Sequence, residues 1–124
     1  MTQPLALFLY EKLLPGGQLL NRLQDLGYRV QSISSPDLLV EYAERETPLL
    51  VLVDVEPHQT EVCQAISRLK QNHTTSHIPV IAVSSGNNAA AQSAAREAGA
   101  TLTVSDTAIL AHLAQFLDQA LQVE

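Results

Sequence analysis

The most constraining feature of this sequence is a strict alternation of short apolar runs with longer segments of helical periodicity. Each predicted strand is three to five residues long, and the intervening segments repeat their apolar residues every three or four positions. Strands that alternate with helices form a parallel sheet, because each crossover returns the chain in the same direction. The predicted strands are Leu5–Leu9, Arg29–Ile33, Leu49–Val53, Val80–Val83 and Leu102–Val104.

Start and stop signals divide the remaining segments into five helices. A leucine stripe ends at Gly27, Ser35-Pro36 opens the second helix, and Gly99 closes an alanine-rich fourth helix. We expect Asp106 to cap the fifth helix, which is predicted to be continuous. The residues predicted to face the core are Leu19, Leu20, Leu23 and Leu26; Leu38, Leu39, Tyr42 and Ala43; Ala65, Ile66 and Leu69; and Ile109, Leu110, Leu113, Leu117 and Leu121.

The pattern predicts one doubly wound, three-layer α/β domain over residues 1–124, with no linker or repeat. Seven basic against 13 acidic residues give a net charge of −6, which argues against binding to nucleic acid or anionic membranes. The start of the chain lacks the pattern of a signal peptide, and no apolar run approaches ~20 residues. We therefore expect a cytoplasmic protein.

In doubly wound sheets the functional crevice lies at the carboxyl ends of the strands, near the point where the strand order reverses. The side chains to consider are those that follow each strand. They are Tyr10 and Glu11, Asp54, Ser84, and Ser105 with Asp106.

These positions make the whole chain resemble a receiver domain of two-component signalling. Asp54, at the end of Leu-Leu-Val-Leu-Val-Asp, matches the family's phospho-accepting aspartate, and Ser84 follows it by 30 residues at the switch position. Gly99-Ala100 resembles the dipeptide that precedes the family's fifth strand. The resemblance implies a flavodoxin-like fold, a five-stranded parallel sheet of order 2-1-3-4-5, and a signalling module rather than an enzyme.

The resemblance also implies a Mg²⁺ site, and here the chain departs from the family's pattern. Two acids after the first strand normally help to hold the metal, whereas this chain has Tyr10-Glu11. A lysine normally pairs with the phosphoryl group after the fifth strand, and counting 22 residues from Ser84 places Asp106 there. The aromatic switch position is Thr103. We therefore interpret the chain as a degenerate pseudo-receiver, with Glu11 and Asp54 as ligands of a weakly held Mg²⁺ if that site is retained.

Each of these residues also has a plain structural interpretation. Asp54 could cap the loop after its strand, Glu11 could be a solvated acid, and Tyr10 could fill the vacated pocket by packing. Ser84 could be an ordinary loop serine, and Asp106 could be only a helix cap. A metal site at His73 and His77, and a catalytic triad of Ser84, His58 and Asp54, lack the further ligand or the nucleophile-elbow sequence that they require.

Three functions remain open. The first is a protein–protein interaction module, for which the alanine-rich fourth helix is expected to be loosely packed or available to a partner. The second is a working response regulator phosphorylated on Asp54 by a histidine kinase. The third is a flavodoxin-like binder of a small molecule. The first two require a protein partner, either a histidine kinase or a downstream signalling protein.

Overall fold

The computed structural model describes residues 5–9, 20–33, 35–55, 59–84 and 88–122. Five strands form one parallel sheet in the order β2-β1-β3-β4-β5, which confirms the order implied by the resemblance. The strands are β1 (Leu5–Leu9), β2 (Arg29–Ile33), β3 (Leu50–Asp54), β4 (Val80–Ser84) and β5 (Leu102–Ser105). The helices are α1, whose described part is residues 20–25, then α2 (Pro36–Glu46), α3 (Gln59–Gln71), α4 (Ala89–Ala98), α5 (Asp106–Ala111) and α6 (Leu113–Gln122).

Helices cover both faces of the sheet, which makes β1, β3 and β4 buried throughout. Alternate strand residues point to opposite faces, so that each strand contributes to two separate hydrophobic cores. One core packs α2, α3 and α4 against the sheet, and the other packs α1, α5 and α6 against the opposite face. The order of the strands reverses between β1 and β3, which places the switch point beside the end of β3.

Local capping explains several of the helix boundaries. The Ser35 hydroxyl accepts a hydrogen bond from the Asp37 N–H at 3.3 Å, and proline follows at the first helical position, as predicted. Gly27 has a positive φ of 93° and ends α1, and the N–H of Tyr28 donates to the Leu23 carbonyl across that turn. Gly99 has a φ of 117° and ends α4 in the same way.

Three sequence predictions of local structure are wrong. Leu26 is 46% exposed because α1 ends before it, in the turn that contains Gly27. The predicted single last helix is two helices, with a break at His112, whose φ and ψ are −133° and 37°. The cap of α5 is Ser105 and not Asp106, because the Ser105 hydroxyl accepts the Ala108 N–H at 3.1 Å.

The strand boundary at β3 also differs from the prediction by one residue. The sequence predicts that Leu49 begins the strand, but Leu49 is 43% exposed and precedes it, whereas Asp54 belongs to the strand. The ladder continues through this end because the N–H of Val55 donates to the Val83 carbonyl at 3.0 Å. Asp54 is therefore held by the sheet itself rather than by a loop.

Candidate functional site

The candidate site lies at the carboxyl ends of β3, β4 and β5. Asp54 is the last residue of β3 and pairs in register with Val83 of β4, and Ser84 pairs with Ser105 of β5. The three strands are adjacent, so that their ends bring Asp54, Ser84 and Ser105 to one edge of the sheet. The sequence predicted this edge, and the structure confirms that it gathers these positions.

Among the described residues of this edge, the buried polar side chains are those of Asp54 and Ser84. The exposed fraction is 4% for Asp54 and 3% for Ser84. A buried carboxylate is costly unless hydrogen-bond donors or a cation compensate its charge. An apolar residue would pack at the end of this central strand at lower cost than the buried aspartate.

The alternation of strand residues separates the directions of these two side chains. Asp54 has the parity of Leu50 and Leu52, which face α1 and α5, whereas Ser84 has the parity of Val80 and Ala82, which face α3 and α4. The carboxylate and the hydroxyl therefore approach the edge from the two sides of the sheet.

Thr103, which the resemblance places at the aromatic switch position, is tethered to α4 by a hydrogen bond. Thr103 lies in β5 opposite Ala82 of β4, and its hydroxyl accepts a hydrogen bond from Arg96 Nη2 at 3.2 Å. Arg96 is in the last turn of α4, so that the bond joins α4 to β5. Sequence reasoning missed Arg96, because a contact between two residues on either side of a turn has no signature of its own.

The remaining predicted site residues are described in part or not at all. Asp106 is the first residue of α5, directly after Ser105, while the direction of its side chain lies outside the described part of the structure. Tyr10 and Glu11 lie outside the described residues, as does His58. Their roles stay predictions.

The donor set suits a magnesium ion only in part. Mg²⁺ is typically held by one or two carboxylates together with several retained waters. Asp54 supplies one carboxylate at the edge of the sheet. Within residues 5–9, 20–33, 35–55, 59–84 and 88–122, no three His, Cys, Asp or Glu residues are grouped as metal ligands. Asp54 therefore fits as one ligand, and a second carboxylate would have to come from elsewhere.

Comparison with solved structures shows which proteins share this architecture. A candidate response regulator from Chloroflexus aurantiacus is 18% identical, with a TM-score of 0.88, and the match covers 98% of this chain and 99% of that one. The receiver domain of the sensor histidine kinase PA1611 from Pseudomonas aeruginosa is 18% identical, with a TM-score of 0.86 and coverage of 98% and 99%. The structure of that domain has a magnesium ion coordinated in the active-site cleft.

A third structure extends the same likeness. The receiver domain of NtrX from Brucella abortus is 17% identical, with a TM-score of 0.81, and the match covers 96% of this chain and 99% of that one. The sequence itself matches no protein-family model and no curated protein. The fold of this chain is that of the receiver domains of response regulators.

The described helices can also be assessed as possible membrane spans. None of the helices in the described part of the chain combines the length and the apolar character that a bilayer span requires.

Proposed function

We propose that this chain is a receiver-type signalling domain that acts by binding a partner protein, and that its Asp54 pocket binds a phosphoryl group poorly. The observation that carries the proposal is the position of Asp54. It is a buried carboxylate at the end of the central strand, beside the switch point of a sheet with the receiver order. Ser84, which is also buried, ends the neighbouring strand.

The sequence at the other predicted pocket positions supports an impaired pocket. The acid pair that would help Asp54 to hold Mg²⁺ is Tyr10-Glu11 in this sequence, so that one carboxylate is missing. Asp106 opens the helix that follows β5, where a cation would be needed to compensate the phosphoryl oxygens. We infer that Glu11 and Asp54 hold Mg²⁺ weakly, that the ion would neutralise phosphoryl oxygens when bound, and that the domain has no enzymatic role of its own.

The tether between Arg96 and Thr103 supports a fixed binding surface. A guanidinium donates to the Thr103 hydroxyl at 3.2 Å and so joins α4 to β5. Both ends of α4 are capped, by the Asn88 side chain and by Gly99, and Ala91 and Ala95 are fully buried. A helix anchored in this way presents the same face to a partner whether or not Asp54 changes its charge. We place the protein in the cytoplasm, with a histidine kinase or a downstream signalling protein as the partner.

The alternative is a working response regulator that a histidine kinase phosphorylates on Asp54. The retained aspartate in its buried position and the magnesium ion in the cleft of the Pseudomonas aeruginosa domain favour it. The two proposals differ in what the pocket does with a phosphoryl group.

Amide NMR spectra with Mg²⁺ and beryllofluoride, a stable mimic of the acyl phosphate, test the choice. We expect no more than local changes near Asp54 at millimolar ligand, and the Asp54→Asn variant should behave in the same way. Changes that depend on Asp54 and spread from the end of β3 to α4 and α5 would contradict the impaired pocket and establish the alternative.

A further inference from the structure

A groove runs between α3 and α4 on the face of the domain remote from α1 and α6. Its volume is about 410 Å³, which is within the ~300–1,000 Å³ typical of ligand sites, and it is open to solvent along one side. Cys63 and Ser67 of α3 and Ala94 and Ala98 of α4 form its walls. Neither Asp54 nor Ser84 lines it.

The composition of α4 explains why the groove exists. Ala91 and Ala95 are fully buried against the sheet, so that α4 lies close to the strands. Ala94 and Ala98 follow at helical spacing on the side toward α3, and their methyl groups leave the space between the two helices unfilled. The sequence predicts that the alanine-rich α4 is loosely packed or available to a partner. In the structure Ala91 and Ala95 pack against the sheet, whereas Ala94 and Ala98 line the open groove.

The rim of the groove is polar and carries a negative charge. Gln64 and Ser67 border one side, and the exposed Glu97 borders the other. The neighbouring cation, Arg96, does not line the groove, and its guanidinium donates to the Thr103 hydroxyl on β5. Across the described ranges, Glu97 forms no ion pair. The carboxylate therefore stands at the mouth of an apolar cleft in a chain whose net charge is −6.

We propose that this groove binds a basic, amphipathic helical segment of a partner protein, with arginine or lysine side chains at the Glu97 rim and apolar side chains on Cys63, Ala94 and Ala98. Helices commonly dock into grooves through apolar residues at i, i+3 and i+4, and a basic segment is attracted by the charge of both the rim and the whole chain. The inference rests on the proposed function, since it names where a signalling domain without a working switch contacts its partner.

The test uses the intact chain and two synthetic helical peptides. One carries leucines on one face with arginines beside them, and the other has glutamate in place of each arginine. Amide NMR titration locates the binding, and alkylation of Cys63 by iodoacetamide reports on the groove directly, because Cys63 is the only cysteine in the chain. Burial raises the pKa of the Cys63 thiol, so that the reaction is followed at alkaline pH, where enough thiolate is present.

We expect the arginine peptide to shift amides of α3 and α4 and to slow alkylation of Cys63 in proportion to the bound fraction, and the glutamate peptide to do neither. Ala94→Leu should weaken binding at least about tenfold by filling the groove. Glu97→Gln should weaken it about two- to fivefold, since an exposed ion pair is lost without a change of shape. The matched control is Ala89→Leu, the same substitution at an exposed position of α4 outside the groove, and it should bind as the parent does.

The groove is excluded as the site if the arginine peptide does not bind at millimolar concentration, if its shifts map to another face, or if Ala94→Leu leaves its affinity unchanged. Equal binding of the glutamate peptide would exclude a basic partner. The proposed function does not depend on any of these results. It fails if beryllofluoride causes Asp54-dependent amide changes that spread to α4 and α5.

Discussion

Replacing Asp106 with lysine is expected to raise the affinity for beryllofluoride in the presence of Mg²⁺ at least about 100-fold. A charge-assisted hydrogen bond contributes about 1.5–3 kcal/mol, and a carboxylate about 5 Å from a phosphoryl group adds a repulsion of about 3 kcal/mol at an effective dielectric of 20. Asp106 directly follows Ser105, which pairs in register with Ser84 at the candidate site. The backbone of residue 106 is therefore close enough to this site for a lysine side chain to reach it. The measurement is an NMR titration with beryllofluoride at fixed Mg²⁺.

Two further variants separate the contributions to this gain. Asp106→Ala removes only the repulsion and should give an intermediate affinity. Asp118→Lys makes the same change of charge at an exposed position of α6 and should leave the affinity close to that of the parent. If Asp106→Lys binds no better than the parent, or only as well as Asp118→Lys, the account of the pocket is wrong.

Gly99→Ala is expected to lower the free energy of unfolding by at least about 2 kcal/mol, a large part of the ~5–15 kcal/mol available to a domain. The positive φ of 117° disfavours any side chain, and a methyl group would lie 2.8 Å from Lys70 Cγ. Lys70 cannot easily move away, because its ammonium group donates to the Ile78 carbonyl at 2.7 Å. Burial also lowers the pKa of Lys70, which agrees with its enclosed position beside α4. Urea denaturation measures the loss as a lower midpoint at constant slope.

Gly27→Ala is the matched control for the backbone contribution. Gly27 has a φ of 93°, but a methyl group there meets nothing within 4 Å, so that only the conformational cost of about 1–2 kcal/mol is expected. In a Lys70→Ala background the clash disappears, and the cost of Gly99→Ala should fall to that of Gly27→Ala. Equal costs for the two glycine variants in the parent chain would show that the close approach of Lys70 is unimportant.

The sequence predicts this fold well where a boundary has a chemical marker. The glycines at 27 and 99 and the serine-proline pair at 35 and 36 end or begin helices as expected, and the bounds of β1 and β2 agree with the prediction. The break at His112 has no such marker. The hydrogen bonds from His112 to Ala108 and from Phe116 to His112 keep the helical spacing across it, so that the leucine periodicity continues without a sign of the break.

The site is predictable in its position but not in its contacts. The end of the third apolar run identifies Asp54 because a parallel sheet gathers its strand ends at one edge. The contacts that modify the site come from tertiary packing. Arg96 reaches Thr103 only because a tight turn at Gly99 brings α4 beside β5, and Ser105 displaces Asp106 as the cap only because β5 runs one residue further. The groove between α3 and α4 arises from the small alanine side chains of α4. The sequence indicates that these side chains leave space unfilled, but it does not predict the shape of that space.

The most direct test of the central claim is the intact mass of the protein after incubation with Mg²⁺ and phosphoramidate, a small phosphoryl donor, compared with the same treatment of Asp54→Asn. We expect the parent to remain unmodified, like the variant, because in the pocket that we propose Tyr10 and Asp106 stand where an acid and a lysine would help to stabilise a phosphoryl group. Near-stoichiometric gain of one phosphoryl group in the parent, and none in Asp54→Asn, would contradict the account and identify a working response regulator.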